Sequence, residues 1–78
     1  MELKELIKEM AKALVNKPEA VQVEEINSGH VTVYELKVAK EDVGIVIGRK
    51  GRTADAIRTL LTTISAKHRK NLRLDIAE

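Results

Sequence analysis

Two glycines three residues apart, Gly48 and Gly51, enclose Arg49 and Lys50 and separate two stretches of helical character. The first is a short apolar run, Val43-Gly44-Ile45-Val46-Ile47. The second, from Arg52 to about Ala66, carries its own apolar stripe. A chain that ends one helix and starts another within four residues needs backbone conformations that a side chain obstructs, and glycine supplies them. Neither glycine has a side chain to hold a ligand off, and both residues between them are cationic. The following helix aims unpaired N–H groups and a positive dipole end at the same place. Those features together suit the grip of a phosphodiester backbone.

Size and composition narrow the field. Seventy-eight residues make one domain, 1–78, with a thin core: a chain this short buries only roughly 60% of its unfolded surface. There is no Cys, hence no disulfide framework and no Cys-based zinc site. With one Tyr and no Phe or Trp, stacking of bases on aromatic rings is nearly excluded. The N-terminus alternates charged and apolar residues, without an apolar leader, and no apolar span reaches 18 residues. A soluble cytoplasmic protein is the expectation. The net charge of +2 conceals an asymmetry: residues 1–47 hold six Lys and nine acids, net −3, whereas residues 48–78 hold eight Lys or Arg and three acids, net +5. The basic half begins at the glycine loop, a distribution that favours an anionic partner.

Periodicity supplies the frame. Leu3, Leu6, Ile7, Met10 and Leu14 predict an amphipathic helix over 2–15, ended by Asn16-Lys17-Pro18. Residues 20–26 and 30–38 read as two strands around a three-residue hairpin loop, Asn27-Ser28-Gly29. Plain pairing across that loop puts Val21 and Val23 with Val31 and Val33, opposite Tyr34, Leu36 and Val38. One bulge would reconcile the faces, with Leu36 and Val38 expected inward. Glu41 and Asp42 suit the first turn of a short helix over 41–47. The long helix from 52 carries Ile57, Leu60, Leu61 and Ile64 on one side. After a basic loop, 68–71, residues 72–77 alternate strictly, with Leu72, Leu74 and Ile76 on one face. The order is α-β-β-α-α-β. A two-helix crossover favours parallel, right-handed return of the last strand beside the second. An α+β domain follows: a three-stranded mixed sheet with three helices on one face.

With the loop and the element order in hand, the chain resembles a KH domain. The matching residues are Val43-Gly44-Ile45-Val46-Ile47-Gly48-Arg49-Lys50-Gly51 and, beyond them, Ile57-Arg58. The helix-first order resembles the prokaryotic, type II arrangement. Length and the Arg52-Thr53-Ala54 continuation are similar to the small bacterial single-KH proteins of the KhpA type. The resemblance implies a clamp on about four nucleotides of single-stranded RNA, and a role as a post-transcriptional regulator or an RNA chaperone-like factor. On that pattern Gly48, Arg49, Lys50 and Gly51 are the clamp, and Gly44 is the glycine that permits close approach. Ile47 and Ile57 edge an apolar groove, while Arg52 and Arg58 add cations. Lys67, Arg69 and Lys70 belong to the variable loop region that forms the other wall. Ile45 stands where relatives commonly carry a polar or basic residue, which points to a wider groove or to a protein contact. The resemblance also implies self-association, or pairing with a larger KH-containing partner of the Jag type.

No catalytic constellation appears. Glu41 and Asp42 are adjacent and point about 100° apart on a helix. His30 and His68 lack metal-ligand spacing. Neither an enzyme nor a metal or other cofactor is expected. Two alternatives to RNA binding stay open: a protein-interaction or dimerisation module, and a DNA-binding helix-turn-helix. Against the latter, the first helix is very short and the second lacks Asn and Gln.

Overall fold

The computed structural model describes residues 2–68 and 71–77. Three α-helices and a three-stranded mixed sheet follow in the order α1 (Leu3–Leu14), β1 (Gln22–Ser28), β2 (Val31–Lys37), α2 (Val43–Ile47), α3 (Arg52–His68) and β3 (Asn71–Ile76). The sheet order is β1-β2-β3, antiparallel between β1 and β2 and parallel between β2 and β3. This is the α+β arrangement that the element order predicts.

The hairpin differs in its turn. The expected three-residue loop is a two-residue turn, Gly29-His30, with Ser28 paired to Val31. Gly29 takes φ 62° while His30 does not go positive, the pattern of a II′-type hairpin whose twist matches its strands. Asn27, a loop residue by composition, lies in β1 because its side-chain oxygen accepts a hydrogen bond from the Thr32 hydroxyl directly across the ladder, at 2.8 Å. The shorter turn shifts the register by an odd number of residues, so no bulge is needed. Val23 now faces Leu36 rather than Val33. Leu36 is fully buried and Val38 packs against the core, so both point inward as expected.

The core lies between the helices and one face of the sheet. Ile7, Ala11 and Val15 contribute from α1 and its end, and Val21, Val23, Tyr34, Leu36 and Leu74 from the sheet side. Val46, Ile57 and Leu61 close it from α2 and α3. Two expected core residues are displaced. Leu14 is 44% exposed and Leu60 40% exposed. The four-residue step Ile7-Ala11-Val15 carries the buried line of α1 past Leu14, and on α3 the line runs Ala54-Ile57-Leu61 and leaves Leu60 outside.

One buried carboxylate ties the layers together. Asp42, 1% exposed, accepts the backbone N–H of Lys17 through Oδ2 at 2.9 Å. Lys17 also extends its ammonium to Glu41. The turn after α1 is thereby bound to the approach to α2. Glu41 and Asp42 suggest a dipole role in the sequence, but only Glu41 stays at the surface. The Lys17–Glu41 contact holds Lys17 above its ordinary pKa and Glu41 below its own, each through the hydrogen bond first. Both side chains are more than half exposed, so screening keeps the contribution small. It is lost on the acid side as pH falls through the Glu41 value, and on the alkaline side as pH rises through the Lys17 value.

Two measurements test this account. Asp42→Ala strips a buried N–H of its acceptor and should destabilise the fold by about 1–3 kcal/mol, whereas Asp42→Asn keeps an acceptor and should lose less; urea unfolding compares them. Burial, and then the charge of its cross-strand neighbour Glu25, push the Tyr34 phenol above its ordinary 10.0. A raised pKa means stability that is present below pH 10 and drains as pH rises through the folded value. Tyr34 is the only tyrosine. Tyrosinate absorbance should therefore show one titration, displaced upward in buffer and returning toward 10.0 in urea.

Candidate nucleic-acid interface

The loop between α2 and α3 is shaped by its backbone. Gly48 ends α2, donating its N–H to the Gly44 carbonyl at 2.9 Å. Its φ of 79° and ψ of 170° are open essentially to glycine alone. A Cβ there would also collide with Thr53, whose backbone nitrogen would lie 2.8 Å away. Gly51, with φ 73°, donates its N–H back to the Gly48 carbonyl at 3.1 Å. Between them Lys50 holds the left-handed conformation, φ 57° and ψ 28°. For a residue with a Cβ that conformation costs about 1–2 kcal/mol. The chain reverses within four residues, and α3 opens at Arg52 with its first-turn N–H groups bordering the loop.

Arg49, Lys50 and Arg52 are all exposed. None of them takes part in the ion pairs among the described residues, which join Lys12 to Glu9, Lys17 to Glu41 and Arg58 to Asp55. Beneath the loop a cleft of 450 Å³ runs to the end of β3. Ile47, Gly51, Ala54, Arg58 and Ile76 line it, and the acids Glu35 and Asp75 stand at its sheet end. A second hollow of 340 Å³ lies beyond Arg58, against Leu61, Leu72 and Leu74. Arg58 separates the two. Its guanidinium reaches Asp55 Oδ1 through Nη1 and the Leu74 carbonyl through Nη2, each at 3.5 Å.

The expected site residues fall into three groups. Ile47, Gly48, Arg49, Lys50, Gly51, Arg52 and Arg58 gather around the loop and its cleft. Ile57 does not: it is 4% exposed and belongs to the core, because the inward line of α3 passes through it. Lys67 is exposed near the far end of α3, while Arg69 and Lys70 lie outside the described residues. Gly44 is exposed on α2, and nothing lies within 4 Å of the position its Cβ would take. It therefore does not serve a close contact with the sheet. Ile45 is 36% exposed beside it, on the outer side as expected.

Five residues of the neighbourhood escape a reading of the sequence. Thr53 packs beneath Gly48, Ala54 floors the cleft, and Glu35, Asp75 and Ile76 reach it from the sheet. The alternation in 72–77 indicates that Asp75 and Ile76 face opposite ways. Only the parallel register, which sets Glu35 beside Asp75 and Leu36 beside Ile76, brings that end of the strand to the loop.

Residues 4–76 match the family model described as KhpA/KhpB, KH domain. A protein of Caldanaerobacter subterraneus called RNA-binding protein KhpA is 50% identical over 72 residues, covering 92% of this chain and 96% of its own. Proteins of the same description from Chlamydia pneumoniae and Clostridium acetobutylicum are 42% and 43% identical; the alignments cover 97% and 95% of this chain, and 97% and 99% of theirs. With the loop, the element order and a family match over nearly its whole length in agreement, the chain belongs to the KhpA/KhpB family of KH domains.

Proposed function

We propose that this protein is a single-domain binder of single-stranded RNA that grips the strand with the Gly48–Gly51 loop and lays bases into the cleft beneath it. The observation that carries the reading is three exposed cations, outside the ion pairs among the described residues, set on a glycine bend that opens onto a 450 Å³ cleft. Arg49, Lys50 and Arg52 would meet phosphates, and Ile47 and Ile76 would meet base faces. The relatives' description as RNA-binding proteins supports the choice of ligand. The cellular role proposed is post-transcriptional, in the cytoplasm, by binding rather than by catalysis.

Gly44 supports the same reading from the side of stability. A helical glycine costs about 0.8–1 kcal/mol against Ala, and no internal contact needs its bareness. Approach by an outside chain would. A strained Lys50 argues likewise, since a glycine there would relieve the backbone but remove the charge.

Exposed Ile45 favours a second, compatible reading. It would contact a protein, either another copy of this chain or a larger KH-containing partner of the Jag type. Two tethered copies would gain affinity for one RNA without new contacts.

Two sets of variants check the proposal. Arg49→Asp with Lys50→Asp should abolish binding of a single-stranded RNA while thermal unfolding stays near native. The native protein should show a salt slope of about −2, from three phosphate contacts at roughly 0.7 each. Unchanged binding by the doubly acidic variant would refute the loop as the clamp. Gly44→Ala should stabilise the fold by about 0.8–1 kcal/mol in urea and weaken RNA binding in the same preparation; stabilisation without any loss of binding would remove Gly44 from the interface.

A further inference from the structure

The cleft is electrically lopsided. Arg49, Lys50 and Arg52 are exposed on the loop above it, Arg58 lines its helix side, and Glu35 and Asp75 stand at its sheet end. The two acids are cross-strand neighbours, and Glu24 pairs with Glu35 from β1, so three carboxylates stand abreast on one face of the sheet. Like charges directly opposite one another weaken a sheet. None of the three takes part in an ion pair among the described residues. Arg58, which lines the same cleft, is turned instead to Asp55 and to the Leu74 carbonyl. Lys37 and Arg73 stand two residues along from Glu35 and Asp75 on that face, but neither forms an ion pair with them among the described residues, so the carboxylates beside the cleft are free to meet a ligand.

Resting on the RNA reading above, we propose that Glu35 and Asp75 select bases by accepting hydrogen bonds from exocyclic amines. Adenine presents an amine at N6 and cytosine one at N4, whereas the pyrimidine that pairs with adenine presents a carbonyl oxygen at position 4. Uracil carries that carbonyl. Set against a carboxylate, that carbonyl places lone pairs against lone pairs and flanks uracil's one ring donor, N3–H, whereas an exocyclic amine meets the acceptor unobstructed. The same negative charge repels phosphate, so the strand lies with its backbone along the loop and its bases toward β3. The cleft therefore prefers amine-bearing bases to uracil.

Labelled oligo(A), oligo(C) and oligo(U) of equal length, bound to the full chain at matched salt and read by fluorescence anisotropy, test the preference. The native protein should favour oligo(A) and oligo(C) over oligo(U) by about fivefold or more. Asp75→Asn with Glu35→Gln keeps the side-chain shapes but adds amide donors, so it should weaken oligo(A) and oligo(C) relative to oligo(U) and close that gap. Equal tightening of all three RNAs would mean that the acids act only as fixed negative charges, and would overturn the proposal. Equal binding of the three by the native protein would overturn it as well. The Arg49→Asp, Lys50→Asp protein run alongside separates the two levels. If it loses all binding while the acid variant leaves the base ratios unmoved, base selection alone fails; if it binds normally, the groove reading fails and base selection falls with it.

Discussion

The reversal between α2 and α3 governs the rest of the molecule. Gly48 sits with Thr53 against its α-carbon, in a backbone conformation that other residues scarcely visit. That one bend sets the direction in which α3 leaves. The direction of α3 decides which of its residues join the core, and Ile57 and Leu61 do so. β3 follows α3 in the chain and lies beside β2, parallel to it. The cleft is the space left between this bend and the far end of that last strand.

The same bend leaves the loop at the surface with its charges unpaired. Three cations elsewhere have partners among the described residues, while Lys4, Lys8, Lys37, Lys40, Lys67 and Arg73 also stand outside those ion pairs. Lys17 meets Glu41, Lys12 meets Glu9, and Arg58 is engaged by Asp55 and a strand carbonyl. The loop cations have none among the described residues, and Lys50 bears backbone strain as well. Strain, bareness at Gly44 and unneutralised charge coincide in one stretch of nine residues, 44–52. Native folds tolerate such departures mainly where something outside the fold makes use of them.

Much of the frame was legible along the chain. The helical spacing of Leu3, Ile7 and Met10, the strict alternation of Leu72, Leu74 and Ile76, and the glycine spacing are local signals, and each produced the element expected. The hairpin was less legible. Asn27 and Ser28 have loop chemistry, yet a cross-strand hydrogen bond to Thr32 draws Asn27 into the ladder. Leu60 and Ile57 look alike by hydrophobicity and both lie near the inward side of α3. A rotation of a fraction of a turn buries one and exposes the other.

Glycine spacing, charge order and apolar period were enough to fix the list of elements and the position of the loop, because each depends on residues within a turn or two of one another; the mixed sheet followed from the handedness rule for the crossover that joins the last two strands. The depth of Asp42, the loss of Ile57 from the groove edge and the arrival of Glu35, Asp75 and Ile76 at the cleft required the folded chain. These placements join residues 25 to 40 positions apart, and what sets them is strand register and helix packing, which no short stretch of sequence encodes.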